Sequence, residues 1–132
     1  MKYYIIDSYC LITYFEKDKG FEKIIDFFDK ATSNEIKLLM NIINWGEVYY
    51  IILREQSYEK ADDFENNFQK LPIELVYPNI SLIKKASGYK AFHSLSYADC
   101  IAAATSSIYK GFLITGDKEF NQLNKEIGIE WL

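Results

Sequence analysis

Apolar positions recur along this chain at two spacings, and the alternation between them sets out its elements. Tyr3-Tyr4-Ile5-Ile6 is an unbroken apolar run closed by Asp7, the pattern of a central strand covered on both faces. From Ser8 to about Glu16 the spacing becomes helical, with Cys10, Leu11, Tyr14 and Phe15 apolar. After the polar break Lys17-Asp18-Lys19-Gly20, the stripe Phe21, Ile24, Ile25 and Phe28 predicts a second helix that ends at Thr32-Ser33-Asn34. Residues 36–40 read as a second strand. Asn41 or Asn44 then caps a third helix from Ile42 to about Glu55, apolar nearly all round, which requires burial in the core or against another subunit. Ser57 caps a fourth helix carrying Ala61, Phe64 and Phe68, stopped at Lys70-Leu71-Pro72.

Residues 73–76 form a third strand, and Pro78-Asn79 introduces a helix from Ile80 to about Phe92. Ser96 opens the next helix, whose Ala102-Ala103-Ala104 run lets it lie close against a sheet. Gly111 releases the chain into a fourth strand, 112–115; Gly116-Asp117 starts a short helix through Leu123, and 129–131 add an edge strand. Strands alternating with helices imply right-handed crossovers: an α/β fold, a three-layer α/β/α sandwich on a central, mainly parallel sheet. With no linker or repeat, residues 1–132 read as a single domain. In open sheets of this kind ligands gather outside the carboxyl ends of the strands, where Asp7 and Asp117 both fall.

Composition narrows the classes. An apolar fraction of 49% supplies a packed core and excludes disorder. A net charge of −4 argues against holding nucleic acid by a broad basic surface, so any polyanion must be gripped locally, and a divalent cation in an acidic pocket is one way to do it. Cys10 and Cys100 lack metal-ligand or disulfide-scaffold spacing and read as buried small residues in a reducing compartment. No membrane-spanning run or signal peptide is legible, so the expectation is a cytoplasmic protein. The eleven tyrosines lean modestly toward self-association.

The chemistry-bearing candidates are acids. Asp99, at the third position after Ser96, also fits a capping box; Asp117 also fits a helix cap; Asp7 also fits a turn. Glu47 is harder to dismiss, because it shares a stripe with Ile43, Tyr50 and Ile51, and a buried carboxylate needs a partner. Arg54, Lys84 or Lys85 could pair with it, or a metal could, and the metal accounts for all four acids at once. Carboxylates without His or Cys suit Mg²⁺ or Mn²⁺, and the lone His93 reads as a surface or loop residue. Hydrolysis of a phosphodiester is the natural reaction of such a site.

Asp7 after the first strand, Asn44-Trp45-Gly46-Glu47-Val48-Tyr49-Tyr50, Ser96-Tyr97-Ala98-Asp99-Cys100-Ile101-Ala102-Ala103-Ala104, and Leu113-Ile114-Thr115-Gly116-Asp117-Lys118-Glu119-Phe120 together resemble the PIN domain, in particular its VapC-type toxin branch. The resemblance covers nearly the whole chain. It implies a strand order 3-2-1-4-5, a Mg²⁺-dependent ribonuclease acting on RNA, a protein antitoxin as partner, and a homodimer. It also implies that Asp7, Glu47, Asp99 and Asp117 are the acidic metal-site and catalytic residues, supported by the Thr115 hydroxyl and by Glu119. One departure is Tyr9, two places after Asp7, where family members often carry a small polar residue. Two other readings compete: a PIN-like module that only docks a partner, and an Asp-based phosphotransfer domain, the latter weakened because no second acid follows in Asp7-Ser8-Tyr9.

Overall fold

A computed structural model describes residues 1–132. Its elements run β1 (Lys2–Ile6), α1 (Ser8–Glu16), α2 (Phe21–Thr32), β2 (Ile36–Asn41), α3 (Ile42–Glu55), α4 (Tyr58–Phe68), β3 (Ile73–Val76), α5 (Ile80–Phe92), α6 (Tyr97–Tyr109), β4 (Phe112–Thr115), a 3₁₀ helix (Lys118–Leu123) and β5 (Gly128–Trp131). The five strands form one sheet in the order β3-β2-β1-β4-β5, all neighbours parallel. Parallel pairing puts every carboxyl end on one edge.

Side-chain alternation along the strands divides the core between the two faces of the sheet. Ile5, Leu39 and Leu113 point to one side and pack with Leu82, Ala86 and the buried Ala102-Ala103-Ala104 run of α6, together with Phe120 and Leu123. Tyr4, Ile6, Leu38, Met40 and Ile114 point to the other and meet Cys10, Leu11, Ile24, Phe28, Phe64 and Phe68. The central strands β1 and β4 are covered on both sides toward their carboxyl ends, as their unbroken apolar runs require. The turn from α6 into β4 passes through Lys110 at φ 54 and then Gly111, where a Cβ would lie 2.7 Å from the Tyr3 carbonyl oxygen. Only glycine fits that approach to β1.

The helix α3 is only partly covered. Its apolar character predicts burial in the core or against another subunit; within the chain only Asn44 and Val48 are buried, while Ile43 and Tyr50 are 42% and 48% exposed. It packs on α1, α4, α6 and β2, which leaves part of its apolar surface open. Asn41, not Asn44, is the cap, accepting from the Ile43 amide at 3.0 Å. Asn44 is an interior residue whose side-chain NH₂ donates to the Ala98 carbonyl at 3.0 Å. No helix is long and apolar enough to cross a membrane.

Candidate metal centre at the carboxyl edge of the sheet

The register brings Ile6 opposite Ile114, so the residues that follow, Asp7 and Thr115, meet at the end of adjacent central strands. Asp7 caps α1: its Oδ1 accepts from the Cys10 amide at 2.8 Å, and the residue is 2% exposed. The Thr115 hydroxyl hydrogen-bonds to Asp7 and also accepts from the Asp117 amide at 3.0 Å. It thereby ties the first acid to the last. Asp117 caps the 3₁₀ helix, its Oδ1 accepting from the Glu119 amide at 3.0 Å. From the far side of the sheet end, Ser96 caps α6 by accepting from the Asp99 amide at 3.1 Å, which sets the Asp99 carboxylate in the first turn.

These local roles and the clustering of charge coexist. The cap bond engages a single oxygen on Asp117, which leaves its second oxygen for another partner, whereas Asp7 accepts from both Cys10 and Thr115. Asp99, Asp117 and Glu119 offer carboxylate oxygens that all lie within 4.8 Å of one another. Glu119, a supporting residue by resemblance, therefore sits within the cluster itself. Asp7 lies outside that triplet yet is coupled electrostatically to Asp99 and Asp117.

Glu47 is placed differently. It is half-buried and flanks the cluster from α3, where its Oε1 accepts a hydrogen bond from the Ser8 hydroxyl. None of the cations weighed as its partner reaches it: Arg54 lies over the Tyr50 ring and Lys85 over the Tyr89 ring. The chain's ion pairs, Lys23–Glu130 and Lys37–Glu74, are elsewhere. Sequence reasoning missed Ser8, although its place directly after Asp7 at the first position of a helix was a signal. His93 stands outside the acid cluster, its Nδ1 3.0 Å from the Tyr89 carbonyl oxygen. Cys10 and Cys100 are free and buried.

The electrostatics follow from acids without counter-cations. Burial pushes the Asp7 carboxyl up to about 7; the Asp99 and Asp117 charges add to the rise, and the bonds from Thr115 and the Cys10 amide oppose it. Asp99 is pushed up to about 6, again chiefly by burial, with Asp117, Glu47 and Glu119 contributing repulsion. A set of converging oxygens with an excess of negative charge fits a hard divalent ion, which would relieve both the repulsion and the desolvation. Soft or imidazole-preferring metals find no ligand here.

A parallel α/β sandwich with carboxylates gathered at the carboxyl edge of its central strands defines a class of acidic-centre proteins. The chain belongs to the PIN domain family, whose model matches residues 4–126. No curated protein matches its sequence. Solved structures share the fold: VapBC2 from Rickettsia felis bound to a DNA fragment from its promoter superposes with a TM-score of 0.78 at 10% identity, covering 97% of each chain. DNA-bound VapBC from Salmonella typhimurium gives 0.77 at 18% identity over 98% of each. VapC20 from Mycobacterium tuberculosis, a sarcin-ricin loop cleaving toxin, gives 0.71 at 12% identity, covering 90% of this chain and 93% of its own.

Proposed function

We propose that this protein is a metal-dependent endoribonuclease, the toxin of a toxin–antitoxin pair, that hydrolyses RNA phosphodiester bonds in the cytoplasm. The observation that carries the reading is the approach of the Asp99, Asp117 and Glu119 carboxylates to within 4.8 Å of one another at the sheet edge. Asp99 and Asp117, with Asp7 behind them, would hold Mg²⁺ or Mn²⁺, and Glu119 would contact the ion directly or through water. Bound there, the ion would supply the positive charge that an acidic site lacks for a phosphodiester and would lower the pKa of a water nucleophile. Glu47, held by the Ser8 hydroxyl, would orient the attacking water from the α3 side and take its proton. Thr115 keeps Asp7 and Asp117 in register.

An antitoxin partner is supported by the family and by the likeness to VapBC complexes. A homodimer is supported by the open apolar surface of α3, where Ile43 and Tyr50 await a cover. The test is Asp99→Asn. With Mg²⁺ present the variant keeps its circular dichroism spectrum and loses RNA cleavage by about 100-fold or more. Equal cleavage by variant and parent would remove Asp99 from the mechanism, and calorimetry with Mn²⁺ finding no carboxylate-dependent site would leave a partner-docking module instead.

A further inference from the structure

The first turn of α1 carries a residue that the proposed chemistry does not use. Tyr9 follows Ser8, and one edge of its ring is pressed on Gly116, where a Cβ would come within 2.4 Å of Tyr9 Cε1 and 2.9 Å of Cζ. Gly116 lies between Thr115 and Asp117, so the ring is seated directly beside the acidic centre, on the β4 side. The seat exists because residue 116 has no side chain. Tyr9 is nevertheless 46% exposed, and it packs on no other aromatic ring, whereas Tyr14 and Trp45 each pack on neighbouring rings. A half-open tyrosine that is held by its edge, rather than by a core, contributes little to stability and presents its ring surface to solvent.

A depression of about 400 Å³ continues from this ring. Tyr9, Ile12 and Thr13 line it from one face of α1, and Asp18 and Lys19 line it from the turn that follows. That turn is firmly built: Lys17 adopts φ 55, and the Lys17 and Asp18 amides both return to the last turn of α1, Asp18 to the Thr13 carbonyl at 3.0 Å. Gly20, at φ 104, turns the chain into α2. The result is an open recess lined by an aromatic ring at Tyr9, by Ile12 and Thr13, and by Lys19 beside Asp18, joined to the acidic centre through the seat of Tyr9 on Gly116. Those three features match a nucleotide: a base has a π-face that stacks on an aromatic side chain whatever its identity, and its backbone phosphate takes a lysine.

We propose that Tyr9 and this recess form a nucleobase subsite, which receives the base of a single-stranded nucleotide adjoining the scissile phosphate while Lys19 faces the backbone. The inference rests on the ribonuclease reading and adds a substrate contact to it. Tyr9 stacks on the base through its ring, so its hydroxyl is dispensable.

The experiment begins by locating the parent's Mg²⁺-dependent cuts in total RNA by end sequencing, with Asp99→Asn as control. An oligoribonucleotide spanning a cut is then synthesised with an abasic nucleotide at each position in turn. Tyr9→Phe is expected to cleave the intact oligonucleotide within about twofold of the parent. Tyr9→Ala is expected to lose about 10-fold in kcat/KM, chiefly through KM, since stacking on an aromatic side chain contributes that order. At one position beside the cut, the abasic substitution should cost the parent a similar factor and cost Tyr9→Ala almost nothing. Calorimetry should find Mn²⁺ bound equally by parent and Tyr9→Ala.

Abasic penalties that are identical in parent and Tyr9→Ala at every position would overturn the subsite. So would a loss of Mn²⁺ affinity that matches the loss of cleavage, which would make Tyr9 a prop for the 115–117 segment. If the parent cuts no RNA under any divalent ion, the ribonuclease reading fails and the subsite fails with it.

Discussion

At the scale of single residues, Asp7 concentrates the conflict between stability and function. Its carboxyl is buried and is pushed up to about 7, yet it has hydrogen bonds for an ionised form from Thr115 and the Cys10 amide. In Asp7→Asn the Cys10 cap is retained by the amide oxygen while the buried charge disappears. The metal-free variant is therefore expected to melt roughly 5 °C above the parent at pH 8, a shift that about 1–2 kcal/mol would produce in a domain of this size. The gain should shrink at pH 5, where the folded parent's Asp7 is already protonated, and vanish only below the ordinary carboxyl value of 3.8. The rise in melting temperature on adding Mn²⁺ should be lost in the variant. Thermal denaturation at the two pH values, with and without Mn²⁺, checks all three outcomes. A variant less stable than the parent at pH 8 would mean that the Asp7 charge is satisfied within the fold itself.

At the scale of elements, the centre depends on how α1, α3 and α6 are held against one another at the sheet edge. The link between α3 and α6 is polar: Asn44 donates to the Ala98 carbonyl, next to Asp99, and is fully buried. One helical turn below, Asn41 donates to the Thr105 hydroxyl at 3.1 Å, and Thr105 in turn donates to the Ile101 carbonyl at 2.7 Å. Asn44→Ala removes a buried bond and leaves the carbonyl without that donor, at a cost of about 1–3 kcal/mol by urea denaturation. The Asn44 Oδ1 has no partner, which places the expected value toward the lower end of that range. Because α3 also carries Glu47, cleavage should fall by more than this loss of stability explains when measured at temperatures where both proteins are folded. Unchanged stability would show that packing, and not the Asn44 bond, holds the two helices.

At the scale of the whole molecule, the gathering of acids makes stability depend on pH. In the folded chain Asp7 and Asp99 keep their protons to about 7 and about 6, whereas the ordinary carboxyl value is 3.8. Between roughly pH 4 and 7 the folded state thus binds more protons than the unfolded one, so the metal-free protein loses stability as pH rises through that window. On the proposed metal-site reading, Mn²⁺ should raise the melting temperature strongly at pH 8 and weakly at pH 5, where protons compete for the same oxygens. A metal-free melting temperature that climbs from pH 5 to pH 8 would contradict this electrostatic picture. Much of the architecture was legible beforehand, because local period and cap chemistry determine it: unbroken apolar runs marked the strands, Ser57, Asn79 and Ser96 marked helix starts, and Gly111 marked the turn into β4. The acids were legible as types at strand ends and in helix first turns, because those places recur in any parallel sheet. Periodicity said that α3 is apolar but not which of its faces another element would cover, so its open surface emerged only from the packing. The Ser8 bond to Glu47, the entry of Glu119 into the cluster and the seat of Tyr9 on Gly116 were decided by the tertiary structure alone. Each joins residues far apart in the chain, and such distances are set by how helices lean on a sheet, which no local pattern encodes.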